Sequence, residues 1–165
     1  MTRSIGAAIT TASLLAIVIA IVIVVAAWGM DRSGARPRGD SQGGRVIVVI
    51  EHATTDATTD TGAPGDSAGD VLTFANEVFD ARDQAKVGSD QGYCIRTVPG
   101  TSYECNWTTL LPGGQITVEG PFYDTKDSTL AITGGTGRYR HARGTMELRS
   151  RENGAEFAFV FHVSS

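Results

Sequence analysis

Residues Gln115 to Gly144 read Q-I-T-V-E-G-P-F-Y-D-T-K-D-S-T-L-A-I-T-G-G-T-G-R-Y-R-H-A-R-G. The stretch parses as a strand, a Gly-Pro corner, a polar turn, a second strand, and then a glycine-dense segment feeding a third. Gly134, Gly135, Gly137 and Gly144 fall within eleven residues, too dense for a helix or an ordinary strand interior. Such spacing suits a tight turn or bulge where backbones approach closely. A turn is therefore expected at Gly134 to Gly137.

Working outward, the same grammar of short β-branched or aromatic runs broken by turn residues extends from Arg45 to the C-terminus. The expected strands are 46–52, 71–79, 90–98, 102–110, 114–120, 128–133, 143–150 and 155–163. Turns are expected at Asp80 to Gly88, Pro99-Gly100, Pro112 to Gly114, Tyr123 to Asp127, and Glu152-Asn153-Gly154, the last carrying a short hairpin signal. In 155–163, Phe157, Phe159, Phe161 and Val163 make one bulky face, and in 143–150 Met146 and Leu148 alternate with polar residues. Eight antiparallel strands of this length close into an all-β barrel, which removes exposed edges and leaves room for one small ligand. Twenty glycines and 7% aromatic residues suit such a turn-rich domain. Residues Ala53 to Gly69 exceed ordinary loop lengths and are either a functional lid or unstructured.

A net charge of −4 argues against a nucleic-acid partner. The clustered basic residues Arg138, Arg140, Arg143, Arg149 and Arg151 are expected on a solvated barrel face. Cys94 and Cys105 lie equidistant from Pro99-Gly100, so a hairpin turning there sets them directly opposite one another. They are a disulfide if the domain is exported and two buried thiols otherwise. His52, His141 and His162 show no ligand spacing, so neither a metal nor a cofactor is expected. No Ser/His/Asp motif is present, and Gly134 to Gly137 lacks the strand-to-helix context of a phosphate loop.

Residues 1–30 form the first region. Ile5 to Trp28 is a nearly unbroken apolar run, which at about 1.5 Å per residue would reach roughly 36 Å, enough to cross a bilayer as a helix. A retained transmembrane anchor is favoured over a cleaved signal, although Val25-Ala26-Ala27 offers a small-residue cleavage site. Residues 31–44 read as a flexible linker, and 45–165 as the barrel domain. Arg32, Arg36, Arg38 and Arg45 after the run favour a cytoplasmic domain by the positive-inside rule. The opposed cysteines and the Thr/Asp/Gly-rich composition favour an extracytoplasmic one, the expectation adopted here, with secretion after cleavage as the alternative.

The blocks Gly69 to Asp80 (G-D-V-L-T-F-A-N-E-V-F-D), Gly92-Tyr93-Cys94, Ile116 to Phe122 (I-T-V-E-G-P-F) and Leu130 to Gly137 (L-A-I-T-G-G-T-G) resemble plant allene oxide cyclase. Gly134 to Gly144 resembles the dirigent proteins of the same barrel superfamily. The resemblance spans roughly residues 46–163. It implies an eight-stranded antiparallel barrel whose lumen binds an apolar small molecule, often in a homotrimer. It also implies a carboxylate at the end of the first strand, which Glu51 matches, assisting the opening of an allene epoxide. Asn76 matches a water-holding asparagine and Cys94 a pocket cysteine. Ala53 stands where the cyclases carry a second asparagine, and Phe122 where they carry a pocket tyrosine.

Independently of the family, Glu51 shares a strand face with Ile47 and Val49. Facing an apolar lumen it would be a general acid with a raised pKa, whereas at the rim it would be solvated. Asn76 shares a face with Phe74 and Val78, and is either a pocket residue or a partner of the backbone. The expected function is an isomerase or cyclase acting on an apolar or polyunsaturated metabolite with Glu51 as acid. The alternatives are dirigent-like orientation of a reactive intermediate, or a hydrophobic-ligand carrier.

Overall fold

The computed structural model describes residues 44–164, which belong to the compact unit Ser41–Ser165. The apolar run Ile5 to Trp28 and the linker lie outside the described residues. Among those described, no helix is long and apolar enough to cross a membrane.

Ten strands follow in chain order: β1 (Arg45–His52), β2 (Ala57–Thr59), β3 (Val71–Phe74), β4 (Glu77–Phe79), β5 (Lys86–Val98), β6 (Ser102–Leu111), β7 (Gly114–Tyr123), β8 (Ser128–Gly137), β9 (Arg143–Arg151) and β10 (Glu156–Ser164). All pairings are antiparallel. The order β5-β4-β1-β10-β9-β8-β7-β6 returns to β5 through the β5–β6 pairing. The result is a closed antiparallel barrel with eight strand positions. β3 and β4 share one position, both lying against β5, and β2 adds a short flap on β3. Every expected strand is present, with 71–79 interrupted at Ala75-Asn76. The segment Ala53 to Gly69 is structured: it contains β2, and the Asp70 carboxylate holds its far end through the backbone N–H groups of Thr61 (3.0 Å) and Ser67 (2.8 Å).

The strand alternation read from the sequence sets the core. Met146 and Leu148 from β9, with Phe159, Phe161 and Val163 from β10, point inward and meet Ile116, Val118, Leu130 and Ile132 from β7 and β8. A fully buried side chain of this size contributes about 1.5–3 kcal/mol relative to exposure, so this half of the lumen is a packed core.

The glycine-dense stretch departs from expectation. β8 continues through Gly137, and the turn falls on Arg138 to Ala142. There the chain folds back under the barrel, with Tyr139 N–H donating to the Thr136 carbonyl (2.9 Å) and Ala142 N–H to the Tyr139 carbonyl (2.8 Å). Tyr139 and Ala142 are buried and plug this end. Gly135 makes the fold-back possible: a Cβ there would strike the Tyr139 carbonyl oxygen and lie 2.6 Å from that of Gln115. Gly137 holds φ +59°, a left-handed conformation that favours glycine. With this end closed, the lumen opens at the other, where β1 ends in Glu51 and His52.

Candidate active site

Register brings the polar groups of the site together. Glu51 pairs with Val78 on one side and Phe157 on the other. Asn76, two residues before Val78, therefore shares its face. At the break between β3 and β4, Asn76 and Asp90 exchange backbone hydrogen bonds of 3.1 and 2.9 Å, placing the Asp90 side chain on the same inner surface. Glu51, Asn76 and Asp90 are all buried.

The Asn76 side chain is the hub. Its Nδ2 donates to Glu51 Oε1 and to Asp56 Oδ1, both at 2.8 Å. Its Oδ1 accepts from the backbone N–H of Thr54 (3.1 Å) and Thr55 (2.9 Å) and from Thr55 Oγ1 (2.9 Å). All the polar capacity of the amide is thus used, and the start of the 53–69 segment is stapled to the mouth. Asn76 is thus a partner of backbone groups through Oδ1, and it stands behind the cleft wall, holding Glu51 and Asp56 through Nδ2.

Glu51 is 5% exposed rather than solvated at a rim. Burial, then the Asp90 charge, push its carboxyl up from 4.5 to about 9, against the opposing Asn76 hydrogen bond. Burial likewise pushes Asp90 up to about 6, with the hydrogen bond from Glu51 acting in the opposite sense. Between these values the pair holds one proton, resident on Glu51 and donated to Asp90. Asp90 Oδ2 is buried with no recorded partner among the described residues, which leaves it free to accept that proton's hydrogen bond.

Below this polar corner lies a cleft of about 390 Å³, counted out to its open mouth. Its walls are apolar: Leu72, Phe74, Trp107, Phe122, Phe157 and Phe159. The aromatic rings support one another, with Trp107 5.6 Å from Phe159 and Phe122 5.8 Å from Phe157 between centroids. The Trp107 indole N–H is buried with no partner among the described residues, leaving an unused donor on a cavity-lining side chain. Cys94 and Cys105 stand opposite each other on β5 and β6 and are joined in a disulfide that also lines the cleft. Cys94 is therefore a cavity wall without a free thiol. Phe122 contributes an aromatic ring to the wall and no hydroxyl.

Of the residues singled out in the sequence, Glu51, Cys94 and Phe122 line the cleft and Asn76 lies behind Glu51; Asp56 and Trp107 also line it, and Asp90 is buried beside Asn76. Asp90 shares the strand parity of Cys94 and was legible in principle as an inward carboxylate. Asp56 carries no local signal, because a loop residue has no periodicity. Outside the cleft, His52 Nε2 lies 2.8 Å from Asp83 Oδ1 and 3.8 Å from Glu156 Oε1, the one group among the described residues whose donors lie close enough to share a metal ion. Arg151 faces Glu156 at 3.5 Å and His52 stacks on Phe79, so the group is also satisfied as an ion-pair cluster.

Comparison with known proteins agrees with this architecture. Solved structures similar to the chain include a pyocyanin demethylase, with 26% identity, TM-score 0.62, and coverage of 71% of this chain and 100% of that one. The exo-specific intermolecular Diels-Alderase AbnU shares 16% identity at TM-score 0.60, covering 74% and 98%. The pterocarpan synthase dirigent protein PsPTS1 shares 17% at TM-score 0.57, covering 74% and 97%. The family model described as the allene oxide cyclase barrel like domain matches residues 49–161. That match covers more than half of the sequence and takes in the barrel from Val49 to Phe161, so the chain belongs to the allene oxide cyclase-like barrel family.

Proposed function

We propose that the barrel binds an apolar small molecule in the cleft and isomerises or cyclises it by general acid catalysis from Glu51. The observation that carries this reading is a buried carboxyl group, hydrogen-bonded by Asn76 and pushed upward by burial and the neighbouring Asp90, on the wall of an aromatic cleft. An acid so placed can protonate an epoxide, ether or carbonyl oxygen of a bound ligand. The Glu51 O–H bond breaks as the ligand O–H bond forms, and electron demand develops at the adjacent ligand carbon. A double bond of the same ligand then closes on that carbon and the cation so formed loses a proton from an adjacent C–H, or a C–H beside the first cation gives up its proton directly; either proton passes to the Glu51 carboxylate as product forms. The Glu51 carboxylate left in between is met by the Asn76 N–H. The apolar walls exclude water from the electron-deficient intermediate. Membrane anchoring by Ile5 to Trp28, an extracytoplasmic location and trimer assembly belong to the same proposal.

The test is Glu51→Gln, which keeps shape and an Asn76 partner while removing the acid. Binding of the neutral probe N-phenyl-1-naphthylamine should be retained, and conversion of apolar epoxides and conjugated polyenes should fall about 10²–10⁴-fold, the usual worth of a general acid. A second reading has its own support in Phe122, which leaves that part of the wall without a hydroxyl. The cleft then orients a reactive intermediate without transferring a proton, as a dirigent protein would. In that case Glu51→Gln leaves rate and stereochemistry unchanged, while filling the cleft by Leu148→Trp abolishes stereocontrol.

A further inference from the structure

The charge of this chain is unevenly placed. Residues 44–50, 106–118, 128–146 and 157–164 contain no Asp or Glu, and they include the start of β1, the β6–β7 and β8–β9 turns and the end of β10 that meet at the closed end of the barrel. The same segments supply Arg45, Arg138, Arg140, Arg143 and His141. The acidic groups Glu51, Asp56, Asp66 and Asp90 are gathered toward the open mouth instead. A chain of net charge −4 thus has one strongly basic pole.

At that pole the plug turn and the start of β1 enclose a hollow lined by Arg45, Arg138, Tyr139, Arg140 and His141, about 640 Å³ counted to its open mouth. The Arg45 and Arg138 guanidiniums lie 6.0 and 5.7 Å from the centroid of the buried Tyr139 ring. Arg140 Nε donates to His141 Nε2 at 3.1 Å, which leaves the imidazole proton on Nδ1 as a further donor. Among the described residues none of these guanidiniums is paired with a carboxylate; the ion pairs there involve Arg96, Arg149 and Arg151 instead. Like charges gathered around one hollow repel one another, and a multivalent anion relieves that repulsion. Guanidinium forks match the tetrahedral oxygens of phosphate.

We propose that the hollow formed by Arg45, Arg138, Arg140 and His141 around Tyr139, at the end of the barrel opposite the cleft, binds the phosphate group of an anionic ligand. This site is independent of Glu51 and of any reaction in the cleft. The phosphate can belong to a free metabolite or to a lipid headgroup, and the two are separable in solution.

The experiment is calorimetric titration of the full chain in a non-ionic detergent. One arm uses inorganic phosphate, a second dihexanoylphosphatidic acid, and dihexanoylphosphatidylcholine serves as the zwitterionic control. Saturable binding is expected in at least one of the first two arms, weakening as sodium chloride rises. Affinity should drop about tenfold or more in Arg138→Gln/Arg140→Gln, since bonds to charged groups are the strong ones. Both side chains are exposed, so an unchanged melting temperature shows that this variant still folds. Binding of phosphate itself assigns the site to soluble ligands, and binding of phosphatidic acid alone assigns it to a lipid headgroup. Absence of binding in both arms, or equal binding by the variant, overturns the proposal.

Discussion

Asn76 Nδ2 donates to Glu51 Oε1 at 2.8 Å, and this bond crosses from the broken strand β3/β4 to the end of β1. The other Nδ2 hydrogen reaches Asp56, and Oδ1 holds Thr54 and Thr55. One amide therefore orients the acid and closes the loop above it. Replacing Asn76 with Ala leaves the buried Glu51 carboxyl group, and Thr54, Thr55 and Asp56 on the loop after β1, without this partner. The expected loss is about 2–4 kcal/mol, read as a lower urea midpoint with an unchanged m-value. Asn76→Asp keeps the size but removes both donors and adds a carboxyl group. It should raise the apparent pKa of the Glu51–Asp90 pair in a carboxyl-resolved infrared titration.

Stability should fall as the medium is made alkaline. Glu51 is raised from 4.5 to about 9 on folding and Asp90 to about 6. Between the unfolded and folded values the native state binds more protons than the unfolded one, so the unfolding free energy decreases with rising pH. The melting temperature should decline steadily from about pH 5 to about pH 9. Glu51→Gln should flatten most of that decline, and a slope identical to wild type would contradict the assignment of the proton to Glu51.

Reducing the Cys94–Cys105 bridge removes a cross-link of sequence separation 11. By chain entropy such a short loop contributes about 2–3 kcal/mol. Cys94→Ala/Cys105→Ala should lower the melting temperature by several degrees. Because the bridge lines the cleft, the same variant should also change affinity for N-phenyl-1-naphthylamine, an effect absent from a disulfide remote from the site.

Gly135→Ala places a methyl group against the carbonyl oxygens of Tyr139 and Gln115. The plug must shift, at a cost of about 1–3 kcal/mol, and Tyr139 should become accessible to iodination. An unmoved melting temperature together with a protected Tyr139 would show that the turn is not the closure of this end.

Arg96, 8% exposed, pairs with Asp66 Oδ1 (2.6 Å) and Asp124 (2.8 Å) and stacks 3.6 Å from the Tyr103 ring centroid. It ties the 53–69 segment to the β7–β8 turn. Arg96→Met should keep much of the packing on Tyr103 but free Asp66. Limited proteolysis within residues 60–68 should accelerate while cleavage elsewhere stays unchanged.

Strand periodicity and turn residues in the sequence alone determined the eight barrel positions, the shared faces of Phe159 with Phe161 and of Met146 with Leu148, and the opposition of Cys94 and Cys105, while leaving Glu51 open between lumen and rim. These are local properties, because alternation and turn chemistry act over a few residues. The family resemblance singled out Asn76. What the residues around Asn76 do was decided by tertiary structure. The break at Ala75-Asn76 sets the register that brings Asp90 beside Glu51, and Asp56 arrives from a loop without periodicity. The protonation of Glu51 depends on burial and on a carboxylate 39 positions away, neither of which a strand pattern contains. The glycine-dense stretch shows the same division. Its composition required close backbone approach near Gly134 to Gly144, but only closure of the barrel made the partner of that approach Tyr139. One end of the lumen is thereby sealed and surrounded with arginines, and the other is left open above Glu51.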